Sequence, residues 1–258
     1  MTTALRDRLS PWLVLAALLV LWEVVVVGFD IPYEILPSAS ASFAAIWEYR
    51  GALWTNALAT LYTTVIGFIL AVAVGLGLGV AVGVSRAVYA ALYPLLVGFN
   101  AIPKVALVPI LVIWFGVNVW SPIITAFVLS FFPIVVNVAV GLATIEPELR
   151  DVLRALGASK RDILFKVGIP RSLPYFFASL KIAITLSFVG AVIAETVAGN
   201  EGIGHVMLVA SSSFNTPLMF AGLIVIAAMA IGMYAIFAAA DRRFTGWATR
   251  SMDYATGG

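Results

Sequence analysis

Three stretches of this chain, residues 51–85, 105–145 and 206–240, contain no Asp, Glu, Lys or Arg. A water-soluble globule keeps roughly 25% of its residues charged to cover its outside. Here 62% of the residues are hydrophobic and 11% charged, too few to clothe a domain of 258 residues. A lipid bilayer is the remaining environment, and soluble enzymes and nucleic-acid binders are excluded.

A bilayer core takes about 20 apolar residues per helix. That rule predicts six spans, at 12–28, 57–84, 90–114, 121–143, 174–197 and 217–240. The run Ile66–Val74 lacks the in–out alternation of a membrane barrel strand, so the fold class is an all-α membrane protein. Three regions follow: an N-terminal anchor helix and outer loop over 1–56, a five-helix core over 57–240, and a cytoplasmic tail over 241–258. Ala39-Ser40-Ala41 resembles a signal cleavage site but lies too far beyond the apolar stretch, past Asp30, Pro32 and Glu34, so the anchor is read as uncleaved.

Basic residues orient the bundle. With both termini in the cytoplasm, 12 of the 15 Lys and Arg lie inside, Arg50 lies outside, and Lys104 and Lys181 fall within spans. The opposite orientation would place 12 outside.

Other residue types remove whole chemistries. The absence of cysteine excludes disulfides and thiolate metal sites, and a single histidine, His205, excludes a multi-histidine metal centre. None of the four lysines stands between Gly and Ser or Thr, so there is no phosphate-binding loop of that kind. The expectation is a chain that binds no cofactor and no metal, and carries no catalytic residue.

Gly75, Gly79 and Gly83 recur every four residues, which places them on one helix face for close approach to a neighbour. Outside, residues 29–56 combine turn chemistry at Pro32, Pro37 and Ser38 with a short amphipathic helix containing Phe43, Ile46 and Trp47.

The only strongly charged stretch is 146–171. Glu146, Pro147 and Glu148 are helix-start residues. Leu149, Val152, Leu153 and Leu156 follow with i, i+3, i+4, i+7 spacing, one apolar stripe. Gly157 fits a left-handed stop, Ser159 and Asp162 fit a capping pair, and Pro170 is expected to end the second helix. The result is a helix–turn–helix with an exposed apolar stripe. Two readings stand side by side: a helix pair lying on lipid headgroups, or a docking surface for a cytoplasmic partner.

Polar groups inside spans are costly and mark functional candidates. Lys104, next to Asn100 and Pro103, either lines a path or snorkels to an interface. Asn137 is a ligand or an interhelical hydrogen-bonding group. Glu195 forms part of an outer gate or caps the loop at Gly199-Asn200. Lys181 is read as snorkelling, Glu23 as packed against a polar partner, and His205 as a satisfied loop residue.

The charged stretch resembles permease subunits of bacterial ABC importers, which carry Glu-Ala-Ala, three residues, Gly, nine residues, then Ile-x-Leu-Pro. Here Asp151-Val152-Leu153, three residues, Gly157, nine residues and Val167-Gly168-Ile169-Pro170 keep that spacing, with Gly157 and Pro170 identical. Leu36-Pro37-Ser38, Ala101–Pro109, Trp114-Phe115-Gly116, Phe131-Phe132-Pro133-Ile134, Ala194-Glu195 and Gly202-Ile203-Gly204 look like the nitrate/sulfonate/taurine branch, which also includes transporters of vitamin precursors and aromatic carboxylates.

The resemblance implies a multi-pass subunit of the bacterial inner membrane, assembled as a homodimer. Two separate ATP-binding cassette subunits would hold ATP and Mg, an extracytoplasmic binding protein would deliver the solute, and lipid would be the other contact. Asp151, Val152, Leu153, Arg154, Ala155, Leu156, Gly157 and Ala158 become the ATPase-coupling element. Asn100, Lys104, Asn137 and Glu195 become translocation-pathway candidates. The solute would be a small organic or inorganic anion such as nitrate, a sulfonate, taurine or an aromatic carboxylate, or else a vitamin precursor. The competing classes are an ion-gradient-driven transporter or channel, for which the weak internal symmetry of many such proteins is not visible, and a membrane scaffold.

Overall fold

The computed structural model describes residues 2–144 and 146–253. Among the described residues there are eleven α-helices: α1 Thr2–Gly28, α2 Ala39–Glu48, α3 Arg50–Val84, α4 Arg86–Ala101, α5 Val108–Phe115, α6 Trp120–Ala143, α7 Pro147–Ala155, α8 Lys160–Ile163, α9 Ile169–Ala198, α10 Ile203–Ser212 and α11 Thr216–Asp253. No strand occurs among the described residues, as the lack of alternation required.

The core is built on α6, which packs against α3 on one side and α9 on the other, with α11 against α9. Phe68, Ile134, Val138, Ile184 and Phe188 are buried where these helices meet. The glycine face of α3 explains the closeness. A Cβ on Gly75 would stand 2.8 Å from Ile134 Cβ, on Gly79 2.7 Å from Val138 Cβ, and on Gly83 2.9 Å from Leu142 Cβ. Lipid tails are as apolar as the helices, so association rests on such contact rather than on the hydrophobic effect. Gly79→Leu is therefore expected to overpack the α3–α6 seam at a cost of about 1–3 kcal/mol. Gly77 meets nothing within 4 Å, so Gly77→Ala serves as the control, and thermal unfolding in detergent compares the two.

Among the described residues five helices are long and apolar enough to cross a bilayer: Ser10–Gly28 of α1, α3, α6, Lys160–Ala198 and Thr216–Trp247 of α11. The expected third span, 90–114, is not one helix. Ala87–Ala101 and Lys104–Phe115 meet at an angle of 83°. Pro103 is the cause, because it lacks an N–H and disfavours helical geometry in the residue before it. Ile102 accordingly sits at φ −68°, ψ 129°, and a 3-10 turn over Lys104–Leu107 leads into α5. At 1.5 Å per residue α4 is about 24 Å long and α5 about 12 Å, so neither spans alone.

Other boundaries also differ from the hydropathy reading. α3 starts at Arg50, ahead of the apolar run at 57, and α11 continues through 241 to Asp253. Pro170 does not end a helix; it occupies the first turn of α9, and a π-helical segment over Leu164–Gly168 joins α8 to it. Lys160–Ala198 thus runs on through Pro170, with the departure from α-helical hydrogen bonding taken up in the π-helical segment before it.

Within residues 29–56 the expected short helix forms as α2, capped by Ser38, whose Oγ accepts from Ala41 N. Glu23 finds its polar partner in Ser40, which donates from N at 3.0 Å and Oγ at 2.6 Å. Lys181 does not snorkel alone: its Nζ lies 2.7 Å from Asp241 Oδ2, tying α9 to α11. His205 is on helix α10 rather than in a loop, and among the described residues its buried Nδ1 meets no hydrogen-bond partner.

Candidate functional site

α7, the turn at Gly157 and the start of α8 form as their caps dictate. Gly157 has φ +83°; its N–H donates to Arg154 O at 2.9 Å and Ala158 N–H to Leu153 O at 2.9 Å, the paired bonds of a Schellman stop. Two residues later Ser159 Oγ accepts from Asp162 N at 3.1 Å while Asp162 Oδ2 accepts from Ser159 N at 3.3 Å, a complete capping box. Both turns are thus specified locally, with no core contact needed. Val152 on α7 and Leu156 just after it are 56% and 78% exposed, while Leu149 and Leu153 are partly buried, so half of the apolar stripe is left uncovered by the rest of the chain. Asp151 and Arg154 pair weakly at 3.7 Å, both well exposed.

The pathway candidates divide into separate places. Lys104 Nζ donates to Asn100 Oδ1 at 2.6 Å and lies 5.7 Å from the centre of the Phe132 ring. These two polar residues flank the Ile102-Pro103 break, and residues 101–103 are exposed. Asn137 instead donates to Pro133 O on its own helix at 2.8 Å.

Glu195 occupies a third place and is only 1% exposed. Its Oε2 accepts from Thr60 Oγ1 at 2.8 Å and from Gly204 N at 3.1 Å, and its Oε1 from Thr63 Oγ1 at 3.3 Å. Thr60 Oγ1 in turn accepts from Ile203 N at 2.8 Å, and Asn56 Oδ1 accepts from Gly202 N at 2.8 Å. The carboxyl group therefore caps the start of α10 and staples it to α3 and α9. Acid at that end complements the helix dipole. Gly202 carries φ +102°, and a Cβ there would collide with the Glu195 carboxyl carbon. The cap is at Gly202–Gly204, not at Gly199-Asn200.

Asn56, Thr60 and Thr63 were not among the expected site residues. Thr60, Thr63 and Thr64 share one face at i, i+3, i+4, a polar stripe inside an apolar helix, and that spacing was the available signal. No cluster of three or more His, Cys, Asp or Glu that could hold a metal ion occurs among the described residues.

Residues 71–246 match the model of the family described as binding-protein-dependent transport system inner membrane component. The chain belongs to that family. It is a permease subunit of an ABC importer, a multi-pass protein of the inner membrane and a transport component rather than an enzyme. It is 36% identical to the riboflavin transport system permease protein RibX of Chloroflexus aurantiacus, over 90% of this chain and 88% of RibX. It is 32% identical to the formylaminopyrimidine transport permease protein ThiX of Halalkalibacterium halodurans, over 87% of this chain and 90% of ThiX. An inward-facing structure of the MetNI methionine ABC transporter superposes with a TM-score of 0.64 at 20% identity, covering 77% of this chain and 97% of that one. That likeness concerns the fold.

Proposed function

We propose that two copies of this chain form the path of an ATP-driven importer, with both termini in the cytoplasm. The α7–Gly157–α8 element docks one ATP-binding subunit on each copy, and ATP and Mg reside on those partners. A binding protein delivers the solute from outside, and closure of the ATPases moves the helix–turn–helix, rocking the spans between outward- and inward-open states. The observation that carries this reading is the exposure of Val152 and Leu156 beside a turn closed by local caps, in a chain of the permease family.

The broken third span supports a path beside Asn100 and Lys104. Unpaired backbone at membrane depth is tolerated only where protein buries it or where it lines a water-filled cavity. In the single chain residues 101–103 are exposed, so a second copy or a watery path must meet them. Lys104 there favours solutes with negative charge. RibX and ThiX are named for riboflavin and formylaminopyrimidine, which supports keeping a vitamin precursor in the solute range beside an aromatic carboxylate, sulfonate, taurine or nitrate.

Lys104→Met is expected to lower uptake of an anionic solute about tenfold, the loss of one favourable charge contact of about 1.4 kcal/mol. Uptake equal to wild type would remove Lys104 from the path. The proposal as a whole is tested by reconstitution in liposomes with the co-purifying ATPase and binding protein. Uptake should require ATP and both partners; accumulation by this chain alone, driven by an ion gradient, would overturn it.

A further inference from the structure

None of these roles uses the cavity at the foot of the bundle. About 500 Å³ in volume, it lies between the end of α3, the start of α4, the last turns of α6 and the helix–turn–helix. Its walls are of two kinds. Val136 and Val140 of α6 make one side apolar, and Tyr89 and Tyr93 of α4 stack above it with ring centres 4.6 Å apart. Arg154 of α7 and Lys160 of α8 also line it and bring positive charge. Tyr89 and Val140 are each nearly half exposed, so the apolar side opens toward what surrounds the bundle. Asp151, 3.7 Å from Arg154, offsets part of its charge. Among the described residues no carboxylate pairs with Lys160.

We infer that this cavity binds an anionic phospholipid, its phosphodiester at the Arg154–Lys160 rim and an acyl chain along Val136 and Val140. Basic pockets between spans on the cytoplasmic side suit such headgroups, and the volume lies within the range of small-molecule sites, about 300–1,000 Å³. The charged rim favours an anionic occupant over a purely apolar one, and the valine wall favours one that carries an apolar chain. A lipid seated there bridges the helix–turn–helix to α4 and α6, bracing the element that must move with the ATPase. The choice of leaflet rests on the orientation proposed above. The binding itself does not, so its failure would leave that orientation standing.

The test is native mass spectrometry of the full-length chain in mild detergent, titrated with phosphatidylglycerol, phosphatidylcholine or glycerol 3-phosphate. Wild type should retain phosphatidylglycerol in preference to phosphatidylcholine. Lys160→Gln should bind it about fivefold more weakly, Lys160→Arg should bind as wild type, and Val140→Trp should lose it by filling the acyl groove. Equal retention of the two lipids, or unchanged affinity in Lys160→Gln, would overturn the assignment. Displacement of phosphatidylglycerol by equimolar glycerol 3-phosphate would also overturn it, assigning the rim to a soluble phosphate.

Discussion

Glu195→Ala is expected to destabilise the folded chain by on the order of 3 kcal/mol, because buried donors left without an acceptor cost about 1–3 kcal/mol each. The alanine leaves Gly204 N–H and the Thr60 hydroxyl facing an empty space where the two carboxyl oxygens had been. The start of α10 then loses its staple to α3 and α9. Glu195→Gln should behave very differently. Its oxygen can still accept from Thr60 and Gly204, and Thr63 Oγ1 can turn its hydrogen to Thr60 O, 3.1 Å away, and accept from the new amide. Thermal unfolding in detergent separates the two variants. A Gln variant as unstable as Ala would mean that the charge, rather than the hydrogen-bonded shape, holds the junction. A stable Gln variant without transport would instead give the carboxyl group a part in gating.

Gly157→Val is expected to abolish transport while leaving the membrane bundle intact. A β-branched residue at φ +83° is a severe backbone outlier, so the Schellman stop cannot form and α8 no longer leaves α7 at its proper angle. No atom lies within 4 Å of a Cβ on Gly157, so the damage is confined to backbone geometry and the bundle is untouched. Gly157→Asn, which tolerates the left-handed region, should restore most of the uptake. Normal transport by the Val variant would show that the angle of this turn is not used.

The legible parts of the fold were those written in local spacing. The four-residue glycine repeat named the face of α3 that meets α6, because backbone approach needs only the absence of a side chain at each turn. The Gly157 stop and the Ser159–Asp162 box were equally legible, since both complete their hydrogen bonds within a few residues. Hydropathy located the third span but not its break: it averages over a window and does not register that Pro103 withdraws one N–H and straightens Ile102. Partnerships across the sequence were beyond reach. Glu195 meets Thr60 across 135 residues and Lys181 meets Asp241 across 60. Each residue stood out as costly in a span, while its partner emerged only when the helices were packed. His205 misled for a related reason: Gly202 suggested a turn, yet with Glu195 capping the next amides the chain enters α10 at once.

Docking of an ATP-binding subunit on the exposed Val152 and Leu156, as proposed, can be measured directly. The chain contains no cysteine, so Leu156→Cys introduces a single thiol at a position 78% exposed. The most direct measurement is photo-crosslinking from that thiol in native membranes, followed by mass spectrometry of the adduct. The account predicts one crosslinked partner, an ATP-binding protein, with less adduct when Gly157→Val is added. Adducts to lipid alone, undiminished by the second substitution, would contradict it and leave α7 a helix lying on the membrane surface.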